Sequence, residues 1–165
     1  MDTQRSSLPL VRRAAGIGLR VTGALAFVAP LLTRLVMGQA FFQTGTGKLA
    51  HFGNTVSFFT DLGIPFPELN AAFVSRLELY GGIALALGLL TRLFAAGLAS
   101  TMVVALATAD RATFVAALEG SGDLGLTDVV PFVYLLFLIW LIFHGPGPVS
   151  LDRILGRWVG PRAPE

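Results

Sequence analysis

Arg34 and Glu78 stand inside long apolar stretches of the chain, where a charge must have a reason to be. An ionisable side chain in hydrocarbon costs roughly 2.5–3.5 kcal/mol on insertion scales and normally faces a protein interior or a polar cavity. Burial without a counter-charge favours the protonated carboxyl, so Glu78 is the best candidate for proton exchange, and no other catalytic residue suggests itself. Helical spacing supports a shared surface. Arg34, Gly38, Phe41, Gly45 and Lys48 recur at alternating steps of four and three, and so do Glu78, Gly82, Leu85 and Leu89. Gln39 and Gln43 add amide groups close by. Arg34, Gln39, Gln43, Lys48 and Glu78 are therefore the expected ligand-binding set, a polar stripe between two helices. Arg76 lies round the helix from Glu78 and is expected to snorkel outward or to pair with Asp61 or Glu68.

Three other chemistries are tempting and fail. Thr44-Gly45-Thr46-Gly47-Lys48 looks like a phosphate loop, but the required first glycine is Phe42 and the magnesium-binding hydroxyl is replaced by Leu49. His51 and His144 fall just beyond opposite faces of the expected bundle, about 30 Å apart by helical rise, and cannot be the two axial ligands of one haem. No His, Asp or Glu pair stands at the helical spacing a metal ion needs, so no metal site is expected. The absence of cysteine removes thiolate sites, iron–sulfur clusters and disulfide redox chemistry together.

The elements that must position the polar stripe follow from where charge is missing. Of 165 residues, 54% are hydrophobic and only 13% charged, with mean hydropathy +0.72. A soluble domain carries about 25% charged residues, and so few charges would not cover a soluble globule of this size. The net charge of +2 is no nucleic-acid footprint. Residues 129–151 contain no Asp, Glu, Lys or Arg, and neither do 93–109, 79–91 and 35–47. The first of these runs exceeds the ~20 residues that cross a ~30 Å hydrocarbon core. Val133 to Phe143 has no polar face at all. The expected architecture is all-α: an integral membrane four-helix bundle over residues 26–145, with helices at about 26–47, 72–90, 93–110 and 129–145.

Orientation follows from the basic residues. Arg5, Arg12, Arg13, Arg20, Arg92, Arg153, Arg157 and Arg162 gather on one side of this arrangement, against Lys48 and Arg111 on the other. By the positive-inside bias both termini are cytoplasmic. Residues 1–25 read as a basic segment lying on the cytoplasmic leaflet and not as a cleaved signal, and 146–165 as a cytoplasmic tail with Trp158 an interfacial anchor. The loop 48–71, rich in aromatic residues and ending in Gly63-Ile64-Pro65-Phe66-Pro67, suggests a short helix at the outer face. Gly88 is expected to end the second helix, Thr91 to cap the third, and Thr127 or Asp128 to cap the fourth. With ~1.5 Å rise per residue, Arg34 and Glu78 differ in depth by roughly 9 Å. Glu78 is then level with Gln39 and Gln43, and should bond a polar side chain of the first helix.

In order along the chain stand Arg34-x3-Gly38, Gly45-x2-Lys48, Leu62-Gly63-Ile64-Pro65, Glu78-x2-Gly81-Gly82, Gly88-x2-Thr91-Arg92, Gly145-Pro146-Gly147 and Ser150-Leu151-Asp152. In this order and spacing the chain, from about Leu31 to Asp152, resembles the DoxX family of small bacterial membrane proteins. The resemblance implies a multi-pass protein of the bacterial inner membrane. It also implies an accessory subunit of a quinone-linked oxidoreductase or respiratory system, with quinone as the candidate ligand of the polar stripe and no redox centre of the chain's own. The bilayer, partner subunits of a membrane oxidoreductase and further copies of the chain are the candidate partners; nucleic acid is not. The competing readings are a non-catalytic membrane scaffold or assembly factor, and a small-solute transporter.

Overall fold

The computed structural model describes residues 26–121 and 123–159; the expected basic segment 1–25 lies outside them. Every regular element among the described residues is helical. They are α1 (Val28–Ala50), α2 (Phe52–Asp61), α3 (Pro67–Leu87), α4 (Thr91–Ala107), α5 (Arg111–Glu119), a 3₁₀ turn (Leu126–Asp128), α6 (Val130–His144) and α7 (Leu151–Val159). The long helices touch in the order α1–α3–α4–α6, and α6 returns to α1.

The α1–α3 crossing is the tightest. A Cβ on Gly38 would lie 2.7 Å from the carbonyl oxygen of Gly82, and one on Gly82 would lie 2.5 Å from the backbone nitrogen of Phe42. The two backbones touch, with no side chain between them. Such contact through small residues holds helices together where the surroundings are as apolar as the side chains. Met37, Phe41, Leu85, Ala95, Leu98, Ala99, Leu138 and Leu141 close the shared core, and Phe41 meets Tyr134 edge-on with ring centroids 5.7 Å apart.

Boundaries depart from the expected ones for identifiable reasons. α3 begins at Pro67, earlier than residue 72, because proline's fixed φ and missing N–H suit the first turn of a helix. It ends at Leu87 because Gly88 takes the left-handed conformation, with φ 70°. The loop 48–71 is mostly helical: α2 folds back after His51, and the hydroxyl of Thr55 donates to the carbonyl of Lys48 at 3.1 Å. Asp128 does not cap α6. Its Oδ2 accepts the N–H of Gly125 at 2.8 Å and closes the 3₁₀ turn, and Val129 occupies the cap position of α6. Thr91 opens α4, but the acceptor at that helix end comes from far along the chain. Asp152 accepts the N–H groups of Leu90 and Thr91, at 2.6 and 2.9 Å.

No single described helix is both long and apolar enough to cross a bilayer unaided. α1 and α3 have 23 and 21 residues but carry Arg34, Gln39 and Gln43, or Arg76 and Glu78. α6 is wholly apolar up to His144 but has 15 residues. α4 and α5 meet both conditions only as a pair bent by 79°.

Candidate functional site

The end of α1, together with α2, α3 and α4, lines a partly open cavity of about 290 Å³. Its polar groups are Lys48, Glu78, Asn70, Ser100, Thr101 and Thr108, and its walls are otherwise apolar, with Phe58, Phe59 and Phe73 the largest side chains. Glu78 projects from α3 with only 2% of its side chain exposed. Lys48 reaches it from the last turn of α1, with Nζ donating to Oε1 at 2.5 Å. The other carboxylate oxygen, Oε2, is buried and has no partner.

This asymmetry sets what the site can do chemically. The Lys48 side chain is about a third exposed (32%), and its ammonium can turn a further N–H toward a ligand oxygen. An ionised carboxylate is an acceptor only, so the free Oε2 suits a ligand that brings a donor. A buried acceptor with no partner carries its full desolvation penalty, on the order of 1–3 kcal/mol, which a ligand group would relieve.

The expected site residues separate in space. Lys48 and Glu78 meet in the cavity. Gln39 and Gln43 are exposed on α1 and do not line it, so the helix 1 side chain that Glu78 bonds is Lys48 and neither glutamine. Arg34 lies fourteen positions before Lys48, about 21 Å away along α1 by helical rise. It is only 1% exposed, its Nε donates to the carbonyl of Pro30 at 3.3 Å, and its Nη2 donates to the carbonyl of Val149. There it ties α1 to the segment before α7. Arg76 forms no ion pair with Asp61 or Glu68; its Nη1 donates to the carbonyl of Ala72 in its own helix, at 3.1 Å. His51 is exposed at the α1–α2 junction, and His144 is exposed and stacked on Trp140.

Sequence reasoning missed Phe59, Phe73, Ser100 and Thr101 as lining residues. Helical rise from the expected boundaries sets Ser100 and Thr101 near the depth of Arg34, whereas they line the cavity with Lys48 and Glu78. The readable signal was α2 itself: Thr55 and Phe59, four residues apart, are its buried positions and face the bundle.

The DoxX family model matches residues 29–111, which include Lys48 and Glu78 and stop before Asp152. A Bacillus subtilis protein named "Putative oxidoreductase CatD" is 32% identical over 49% of this chain, and that match spans 59% of its own length. "Uncharacterized membrane protein Rv3486" of Mycobacterium tuberculosis is 32% identical over 75% of this chain and 79% of its own. "Inner membrane protein YqjF" of Escherichia coli is 31% identical over 79% of this chain and 94% of its own. No solved structure matches the chain.

Proposed function

The chain belongs to the DoxX family, and on that premise we propose that it is a multi-pass inner-membrane protein that binds a quinone headgroup on Lys48 and Glu78 as a small accessory subunit of a quinone-linked oxidoreductase. Its four long helices form a membrane-embedded bundle with both termini cytoplasmic. The names of the relatives support the membrane setting. So does the exterior: Leu32, Val36, Phe137 and Phe143 are large apolar side chains left exposed, while Arg34 and Glu78 are buried. That is polarity arranged for a lipid surrounding. Helices diluted by such interior charges can still present an apolar outside.

The observation that carries the ligand reading is the buried, unpartnered Oε2 of Glu78 in a mostly apolar cavity beside a lysine. Lys48 would donate to a quinone oxygen, and Glu78 would accept from the hydroxyl of the reduced form. The quinone, when bound, supplies the electron-carrying chemistry that the side chains lack. The name of the Bacillus relative points the same way.

Purification in mild detergent tests this reading. Quinone should co-purify with the wild-type chain and be lost from Glu78→Gln. A stoichiometric protein partner with no quinone, and no binding of added short-chain quinone, would replace it with the scaffold reading.

A further inference from the structure

α7 is a strongly amphipathic helix whose rotation about its axis is locked. Asp152 is held against the α3–α4 hairpin: its carboxylate takes the N–H groups of Leu90 and Thr91, and its own N–H donates to the carbonyl of Gly88 at 2.9 Å. Ser150 opens the helix, its hydroxyl accepting the N–H of Arg153 at 3.3 Å. With that residue pinned, helical geometry sends Leu151, Ile154 and Leu155 to one side of the axis and Arg153 to nearly the opposite side. Leu151, Ile154 and Leu155 are all exposed, and so are Leu90 and Val149 next to them. No described element covers this patch.

The charge at this end of the molecule identifies what does. Arg92 lies against Gly145, so it shares the end of the fold that carries α7 and Arg153. The nearby carboxylate, Asp152, is spent on backbone N–H groups. What remains outward is an apolar ridge flanked by cationic side chains. That composition fits a surface with hydrocarbon below and negative headgroups above, and it does not fit water or a neutral protein face. We infer that α7 lies flat in the headgroup region of an anionic phospholipid leaflet, on the side of the α3–α4 hairpin, with Leu151, Ile154 and Leu155 in the acyl boundary and the arginines on lipid phosphates. This rests on the bilayer setting proposed above and is independent of any quinone.

The chain has no cysteine, so single labels can be placed cleanly. Nitroxides at Leu155→Cys, Arg153→Cys and, as a reference on α6, Phe137→Cys would be read in the full chain reconstituted into vesicles. Collision with oxygen reports lipid, and collision with a water-soluble nickel chelate reports solvent. With phosphatidylglycerol in the vesicles, the Leu155 label should be several-fold more accessible to oxygen than to nickel, and the Arg153 label the reverse. The contrast should shrink in pure phosphatidylcholine, or at ~1 M salt, where the Debye length is only ~3 Å. Equal nickel access at both labels, with Phe137 still in lipid, overturns the placement of α7 alone. Protection of the Leu155 label from both reagents means that protein covers the ridge, and a contrast indifferent to lipid charge removes the anionic requirement; either result overturns the inference. Nickel access at Phe137 sinks the bilayer reading and this inference with it.

Discussion

Lys48 and Glu78, thirty residues apart in the chain, meet across the α1–α3 interface with Nζ 2.5 Å from Oε1. The Glu78 side chain is almost wholly buried and that of Lys48 is a third exposed, so the two partners depend on each other unequally.

That inequality predicts an order of stabilities. Lys48→Met leaves a buried carboxylate without its counter-charge, a change worth on the order of 3–5 kcal/mol for a fully enclosed pair and less where one partner reaches solvent. Glu78→Gln leaves only a partly exposed lysine and should cost clearly less. The double variant should recover much of the Lys48→Met loss. Thermal unfolding of all four proteins in the same detergent checks this, and equal losses in the two single variants would contradict it.

Asp152 should matter to α4 more than to its own helix. Asp152→Ala strips the acceptor from two backbone N–H groups at the start of α4, for an expected loss of about 1–3 kcal/mol, given that bonds to charged groups are the stronger kind. Asp152→Asn keeps one acceptor oxygen and should lose less. Hydrogen exchange at the amides of Leu90 and Thr91 should accelerate in the alanine variant, and unchanged protection there would show that the cap contributes nothing.

The α1–α3 crossing should reject a single methyl group. Gly82→Ala places a Cβ 2.6 Å from the carbonyl oxygen of Gly38, a backbone atom that moves only if a helix moves. Overpacking of this kind costs typically 1–3 kcal/mol. Gly53→Ala meets open space and sits inside α2, so it should be neutral or mildly stabilising. A melting temperature for Gly82→Ala no lower than that for Gly53→Ala would rule out the close approach.

Gly88 combines a backbone requirement with a steric one. Its φ of 70° disfavours any residue with a Cβ, and that Cβ would collide with Nη1 of Arg34. Gly88→Ala should therefore displace Arg34 from the carbonyl of Val149 and loosen the α7 segment. Limited proteolysis near residue 150 should become faster in Gly88→Ala and in Arg34→Gln alike. Resistance equal to wild type in both would refute the tie.

Much of the arrangement is legible from residue types. The all-helical character follows from long charge-free runs, the end of α3 from Gly88, and the involvement of Glu78 with a polar side chain of α1 from the cost of an isolated charge. Choosing Lys48 over Gln39 and Gln43 was not legible. The three side chains lie within a few turns, and helical depth depends on where each helix begins, which a proline at 67 moved by more than a turn.

What the sequence determined by itself was chemistry by exclusion and polarity by position: no thiols, an apolar chain, and charges at Arg34 and Glu78 set within apolar stretches, where burial demands a partner. Only the tertiary structure sorted those charges into two places, an ion pair beside a cavity and a tie at the α7 end. The reason is that partners remote in sequence, α2 folding over Lys48 and Val149 and Asp152 returning to the α3–α4 hairpin, are selected by packing, and no local spacing encodes it.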